Sequence, residues 1–464
     1  MLNFPPEILG EIFNHYVHGR LKTHQMNEDE AQTSVRRITA YTDSQTHPTD
    51  LTPVCRLWRA TAISIPRLWA TIYVFKPKSE GNLKMFELWL ERSAGLNGSC
   101  PLDLTIKEAM APLSITPARE LKLLEQILPL AISQLQRWRY ISLELSRRSE
   151  PFLKQLYNNT TPPPILRGVK ISLQNWSRHE LRQLMGVLCS APGLQSITFG
   201  RKFCTRFYTE LLLDIVPWDR PTTLSFTLLT ESMFLRILSA SMDTLQDISV
   251  SDLTILSNVA VGGSTAVPCT TMRRLQSIYI GGFSEGDAGT IFDKLTLPAL
   301  RELRLPNGFG DHTEISLQAR GWESLSGLLK RSNCKLQIFE FGDDESPGSR
   351  FTEEWITKYL KFSPGFEHLT SLRVTSEIGQ NSDSLQLLEA LSEVCGDVPR
   401  PRLLPVLETL ILDSVRSVVD VRRMVSDRIA AYGANGRSKL RRVSADLVGE
   451  DFAVDMDLTS QSHV

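Results

Sequence analysis

Apolar positions along the chain follow helical spacing near the start and strand spacing further on. Ile8, Ile12 and Tyr16 lie four apart, with Leu9 and Phe13 on the adjacent stripe. Such spacing puts side chains on neighbouring rows of a helix. The predicted helix covers about 6–18. Pro6 suits its first turn, where a missing N–H is no loss, and Glu7 sits at the positive end of the helix dipole. This helix is apolar over much of its circumference, so it has to be covered on more than one side. Residues 19–50 are rich in Thr, Gln, Asn, Asp, Arg and His, and no structure is assigned to them. Apolar order resumes at Leu51. Val54, Trp58, Ala62 and Ile65 mark a second helix, which Pro66 ends, with Leu68 and Trp69 folding back onto its end.

From about residue 135 a different phrase recurs: Leu, two residues, an apolar residue, one residue, an apolar residue. It appears as Leu194-Ile197-Phe199, Leu245-Ile248-Val250, Leu275-Ile278-Ile280, Leu300-Leu303-Leu305, Leu336-Phe339-Phe341, Leu369-Leu372-Val374 and Leu407-Leu410-Leu412. Weaker copies start at Trp138, Leu166 and Leu440, and Leu224-Phe226-Leu228 is a shorter variant. Apolar residues two apart predict a short strand. Helical patterns lie between them, at His179–Cys189, Trp322–Leu329, Thr352–Phe362, Ser384–Val394 and Val418–Tyr432. Strand, helix, strand at a period of 25 to 38 residues implies parallel strands side by side. The expected fold class is α/β: an N-terminal helical domain, then an irregular leucine-rich-repeat-like solenoid with strands on one face and helices on the other. The ladder Asn or Cys usual in such repeats is absent, and a conventional α/β sheet is the alternative. Between the apolar positions, the strand face would carry Tyr279, Arg304, Glu340 and Arg373 as a candidate substrate face.

The N-terminal segment carries a more specific signal. Phe4-Pro5-Pro6-Glu7-Ile8-Leu9…Ile12-Phe13, Val54-Cys55-Arg56-Leu57-Trp58-Arg59 and Pro66-Arg67-Leu68-Trp69 together resemble the F-box, with Phe4 where Leu is usual. Trp89-Leu90-Glu91-Arg92-Ser93-Ala94-Gly95 and Gln136-Arg137-Trp138-Arg139 look like segments that follow the box in fungal F-box proteins, and the resemblance covers about 1–145. It implies a non-catalytic role: docking to the Skp adaptor and, through it, to the cullin of an SCF ubiquitin ligase. The matching positions for that contact are Pro5, Ile8, Leu9, Ile12, Val54, Cys55 and Trp58. The domains expected are an F-box-like helical domain (1–75) with a polar insertion at about 19–50, a helical connecting region (76–134), the repeats (135–448) and an acidic, disordered tail (449–464).

Composition narrows the function. The 464 residues carry 51 Lys+Arg and 52 Asp+Glu, a formal net charge of −1. That balance argues against bulk attraction to nucleic acid or an anionic membrane, and neither is expected as a partner. The seven cysteines are widely spaced, which predicts reduced, mostly buried thiols and a cytoplasmic or nuclear home. No secretory signal or membrane span is expected. His15 and His18 read as solvated helix residues, and Gly281-Gly282-Phe283-Ser284 as a turn without the ending of a phosphate loop. No catalytic constellation, metal site or cofactor is expected. Two readings follow: a subunit that recruits an unknown target protein to a ligase, or an interaction scaffold that assembles no ligase.

Overall fold

The computed structural model describes residues 4–19, 38–39, 47–95, 100–108, 118–158, 161–200, 205–255, 269–284, 286–309, 315–342, 353–363, 365–378, 386–393, 403–415, 417–430, 439–447 and 453–458. Most of the polar insertion and the acidic turn 343–345 lie outside the described residues. The chain divides into two compact units, Met1–Pro217 and Trp218–Val464. Both are α/β, with a largely parallel sheet.

The first unit opens with α1 (Pro6–His18), as the apolar spacing predicts. Strand β1 (Ile38–Thr39) follows, then α2 (Pro48–Leu51) and α3 (Arg56–Ser64). The expected second helix is therefore shorter than its apolar stripe. Val54 falls in the turn between α2 and α3, and Cys55 caps α3 by accepting a hydrogen bond from Trp58 N at 3.4 Å. A 3-10 turn, Pro66–Trp69, ends the helical segment.

Two segments expected as helical also contribute to the sheet, one at the end of 1–75 and one within 76–134. Strands β2 (Thr71–Phe75) and β3 (Leu102–Lys107) pair in parallel, with Ile72 beside Leu104 and Val74 beside Ile106. Leu102–Lys107 alternates buried and half-exposed positions, Ile72 to Phe75 are buried throughout, and the in-register apolar positions make one continuous buried row. Helices α4 (Glu80–Ala94) and α5 (Ala118–Ser133) flank β3 in sequence. Strand β4 (Trp138–Ser146), α6 (Lys154–Tyr157), β5 (Gly168–Gln174), α7 (Arg178–Cys189), β6 (Ser196–Phe199) and α8 (Thr205–Ile215) complete the unit. Its strand order is the chain order, β1 to β6. Only β1 runs antiparallel, against β2, so that 38–39 cover an edge that would otherwise offer unpaired backbone groups.

The second unit repeats this logic. Its strands are β7 (Thr223–Thr230), β8 (Asp247–Thr254), β9 (Thr270–Thr271), β10 (Ser277–Ile280), β11 (Phe283–Ser284), β12 (Leu295–Thr296), β13 (Glu302–Leu305), β14 (Ile338–Phe341), β15 (Ser371–Ile378), β16 (Thr409–Val415), β17 (Arg442–Leu447) and β18 (Ala453–Asp457). The helices are α9 (Glu231–Ala240), α10 (Gly289–Phe292), α11 (Ile315–Ser332), α12 (Glu353–Phe362), α13 (Gln386–Ser392) and α14 (Val418–Ala430). Strands β7, β8, β10 and β13 to β17 pair in parallel in chain order, β11 adds to β8, and β9 with β12 forms a separate short ladder. The leading Leu of each strong phrase in this unit is buried, as are the two apolar positions that follow it. Leu228 departs from its phrase: it is half-exposed, and Leu229 takes the buried place.

Part of the tail expected to be disordered forms a strand. Strand β18 pairs antiparallel with β17 from Arg442–Asp457 to Asp446–Ala453. The open edge of β17 presents a row of unmatched N–H and C=O groups, and backbone pairing there outweighs the polarity of Asp455 and Asp457.

Trp69 ties the N-terminal helices to the rest of the first unit. It is fully buried, and its Nε1–H donates to Ala62 O at the end of α3 at 2.8 Å. Its ring meets Trp89 edge-on at 5.6 Å, and the Arg92 guanidinium lies over it at 4.3 Å, both from α4. Gly95 ends α4 at φ +59°, where a Cβ would stand 2.7 Å from Pro66, so only glycine fits this approach. Replacing Trp69 by Ala removes the ring and strands a carbonyl. The expected loss is about 4 kcal/mol of stability. Trp69→Phe, which keeps a ring but loses the N–H, should lose about 1–2 kcal/mol. Urea unfolding of the two variants checks both.

Candidate docking faces

In the first unit the two apolar stripes of α1 have opposite fates. Leu9, Phe13 and Val17 are buried, whereas Phe4 (44% exposed), Ile8 (49%), Ile12 (44%) and Tyr16 (40%) face outward. Phe13 packs on Trp58 of α3 with ring centroids 4.9 Å apart, and α1 also contacts α2 and the 66–69 turn. Val54, Leu57 and Ile63 are exposed on the same helical segment. Exposed aliphatic side chains repeated on one helix gain nothing from solvent, and such a surface marks a place where another apolar surface docks.

The residues expected at an adaptor contact therefore divide. Ile8, Ile12 and Val54 are exposed and available. Pro5 is exposed, and its carbonyl accepts the Leu9 N–H at 3.1 Å in the first turn of α1. Leu9 is buried beneath the surface. Cys55 and Trp58 are half-buried and work within the fold, one as a cap and the other as a packing partner of Phe13. Sequence reasoning passed over Tyr16, Leu57 and Ile63, which the helical period extends naturally from Ile12 and Val54. His15 is exposed as expected. His18 is half-buried, and burial holds its imidazole below the usual value.

In the second unit, Tyr279, Arg304, Glu340 and Arg373 stand side by side on β10, β13, β14 and β15, paired position for position. The row continues to Ser249 on one side and Ile411 on the other. Neighbouring carboxylates engage both arginines. Arg304 Nε lies 2.6 Å from a Glu302 oxygen without hydrogen-bond geometry, whereas Arg373 donates to Asp413 on β16 and lies 2.8 Å from it. Glu340 sits between the two guanidinia at 3.8 Å and 3.7 Å, beyond direct hydrogen-bond reach. Burial pushes its carboxyl above the usual carboxylate range, and Arg373 and Arg304 oppose that shift only in part. Asp247 is also raised, first by burial and further by Glu302. In the first unit an equivalent outward row pairs Arg139 with Asp103 through two bonds of 2.8 and 2.5 Å.

The cysteines are less buried than expected. Of the five described, Cys189 and Cys334 are buried, Cys55 and Cys100 are intermediate, and Cys269 is exposed; all five are free thiols. Among the described residues no group of three or more His, Cys, Asp or Glu could hold a metal ion, and no helix is long and apolar enough to cross a membrane.

No family model matches the chain, and no curated protein matches it. Among solved structures, a crystal structure of a Bacteroides fragilis protein matches at 10% identity, over 64% of this chain and 74% of that chain, with a TM-score of 0.36. A likeness at that level carries no argument.

The raised Glu340 carboxyl makes a signed prediction. Below the unfolded-state pKa the group is neutral in both states. As pH rises toward the raised folded-state value, the unfolded chain releases its proton first, so stability falls. Glu340→Gln removes this group. The variant should therefore gain stability relative to wild type as pH rises from about 4 to about 7. Urea unfolding at the two pH values measures the difference.

Proposed function

We propose that this chain is a target-recruiting subunit of an SCF-type ubiquitin ligase. In this reading the N-terminal helices form an F-box-like plug for the Skp adaptor, and cullin joins through that adaptor. The remaining strands and helices form a leucine-rich-repeat-like solenoid whose strand face binds a target protein. The observation that carries the reading is the outward stripe of Ile8, Ile12 and Tyr16, with Phe4 just before it, on a helix anchored from beneath by Leu9, Phe13 and Val17. Ile8, Leu9, Ile12 and Phe13 also belong to the motif that carries the sequence resemblance to the F-box. Aliphatic and aromatic anchors in a desolvated contact centre supply most of the energy of such docking.

From this chain's side catalysis is proximity. A held target raises the effective concentration of its lysines near a conjugating enzyme that another subunit supplies. No side chain of this protein needs to touch the transferred ubiquitin. The second reading, a scaffold that binds partners without assembling a ligase, is favoured by the Arg304–Glu302 and Arg373–Asp413 pairs, which engage the strand-face charges within the chain.

Pull-down of the full chain with purified Skp adaptor separates the two. Ile8→Glu/Ile12→Glu changes only exposed positions, so the variant should keep its circular dichroism and lose adaptor binding by about a hundredfold or more. Failure of the folded wild type to bind the adaptor would overturn the ligase reading and leave the scaffold. Adaptor binding without recruitment of cullin would also favour the scaffold.

A further inference from the structure

The centre of the second unit's strand face holds a carboxylate with unused acceptor capacity. The Glu340 side chain is 9% exposed, and its only charged contacts among the described residues are the two guanidinia at 3.8 and 3.7 Å. Each of those guanidinia lies closer to another carboxylate, at 2.6 Å for Arg304 and 2.8 Å for Arg373. No hydrogen bond to the Glu340 carboxylate occurs among the described residues. An ionised carboxylate accepts up to about four hydrogen bonds, and leaving it buried without them is costly. The bias is local to the outward side, because the neighbouring Phe339 and Phe341 fill the core beneath.

The surrounding charge has one sign in excess. Outward positions on β8 to β17 present Asp247, Glu302, Glu340, Asp413 and Asp446 against Arg304, Arg373 and Arg442. The half-buried Tyr279 ring lies in the same row and provides a flat wall suited to the stem or head of a cationic side chain. An anionic or phosphorylated ligand would have to displace Asp413 from its hydrogen bond with Arg373 and would add to the acidic excess, whereas a cation would meet that excess.

We infer that Glu340 is the anchor point for a lysine or arginine side chain in a basic segment of the target protein. This rests on the reading of the strand face as the target-binding surface. The incoming ammonium or guanidinium would donate directly to the Glu340 oxygens at about 2.8 Å, the length of a charge-assisted bond. Asp413 would keep its hydrogen bond with the flanking Arg373.

The test selects phage-displayed random peptides on the full chain and measures the strongest by fluorescence anisotropy. Lys- and Arg-enriched peptides should emerge. Their affinity should fall about tenfold or more with Glu340→Gln and with acetylation of the peptide lysines, and weaken with added salt. Arg373→Gln removes a competing cation at an exposed position and should strengthen binding. It decides the matter on its own if circular dichroism shows Glu340→Gln misfolded. Selection of acidic peptides, absence of a basic set, equal binding by a folded Glu340→Gln variant, or no gain with Arg373→Gln overturns the inference. Apolar peptides lost only in Ile8→Glu/Ile12→Glu, with no basic set, would sink this inference and leave the N-terminal reading standing. A basic set alongside failed adaptor binding would do the reverse.

Discussion

Each strand of this protein is too short to bury its own apolar side chains, and the structure depends on in-register pairing with the next strand in the chain. Strands such as Ser277–Ile280 or Glu302–Leu305 have only two inward positions. Alone they could not offset the entropy of ordering their backbone. Paired in parallel, Ile278 beside Leu303 and Leu303 beside Phe339, they build a continuous apolar row on which helices close. A slip of one residue would turn that row outward. The same register fixes the opposite face, because every buried pair dictates which polar residues stand beside one another in front of it.

That constraint separates the two candidate faces in kind. The strand face of the second unit is polar by construction, and register turns Glu302, Arg304, Glu340, Arg373 and Asp413 into a chain of alternating charges. The N-terminal helices escape the constraint. Helix α1 meets α2, α3 and the 66–69 turn on one side only, so its second apolar stripe stays outside. A surface of the first kind selects partners by charge pattern, and one of the second kind holds them by burial of apolar area.

The repeat phrase was legible because it joins a leading Leu to two alternating apolar positions, which few other elements require. All seven strong copies fall on strands, from Ser196–Phe199 to Thr409–Val415. Strands Thr71–Phe75 and Leu102–Lys107 escaped notice because they lack the leading Leu two residues ahead, although Leu102, Leu104 and Ile106 alternate plainly. Strand Ala453–Asp457 was hidden by its charge, since backbone pairing along an edge leaves no apolar mark. On α1 the sequence located two apolar stripes and could not say which would be buried; that choice is made by Trp58, more than forty residues further along the chain. The row Tyr279, Arg304, Glu340, Arg373 was read correctly as neighbours. Their ion partners were not, because Asp413 lies two residues beyond the register partner of Arg373 and is reached diagonally across the pair.

The central proposal is that the outward stripe of α1 docks the Skp adaptor. Hydrogen–deuterium exchange of the full chain, with and without purified Skp adaptor, addresses it directly. The account predicts added protection in peptides covering residues 4–19 and 52–65, with the strands of the second unit unchanged. Unchanged exchange across 4–19 at saturating adaptor, or protection confined to the second unit, would contradict it.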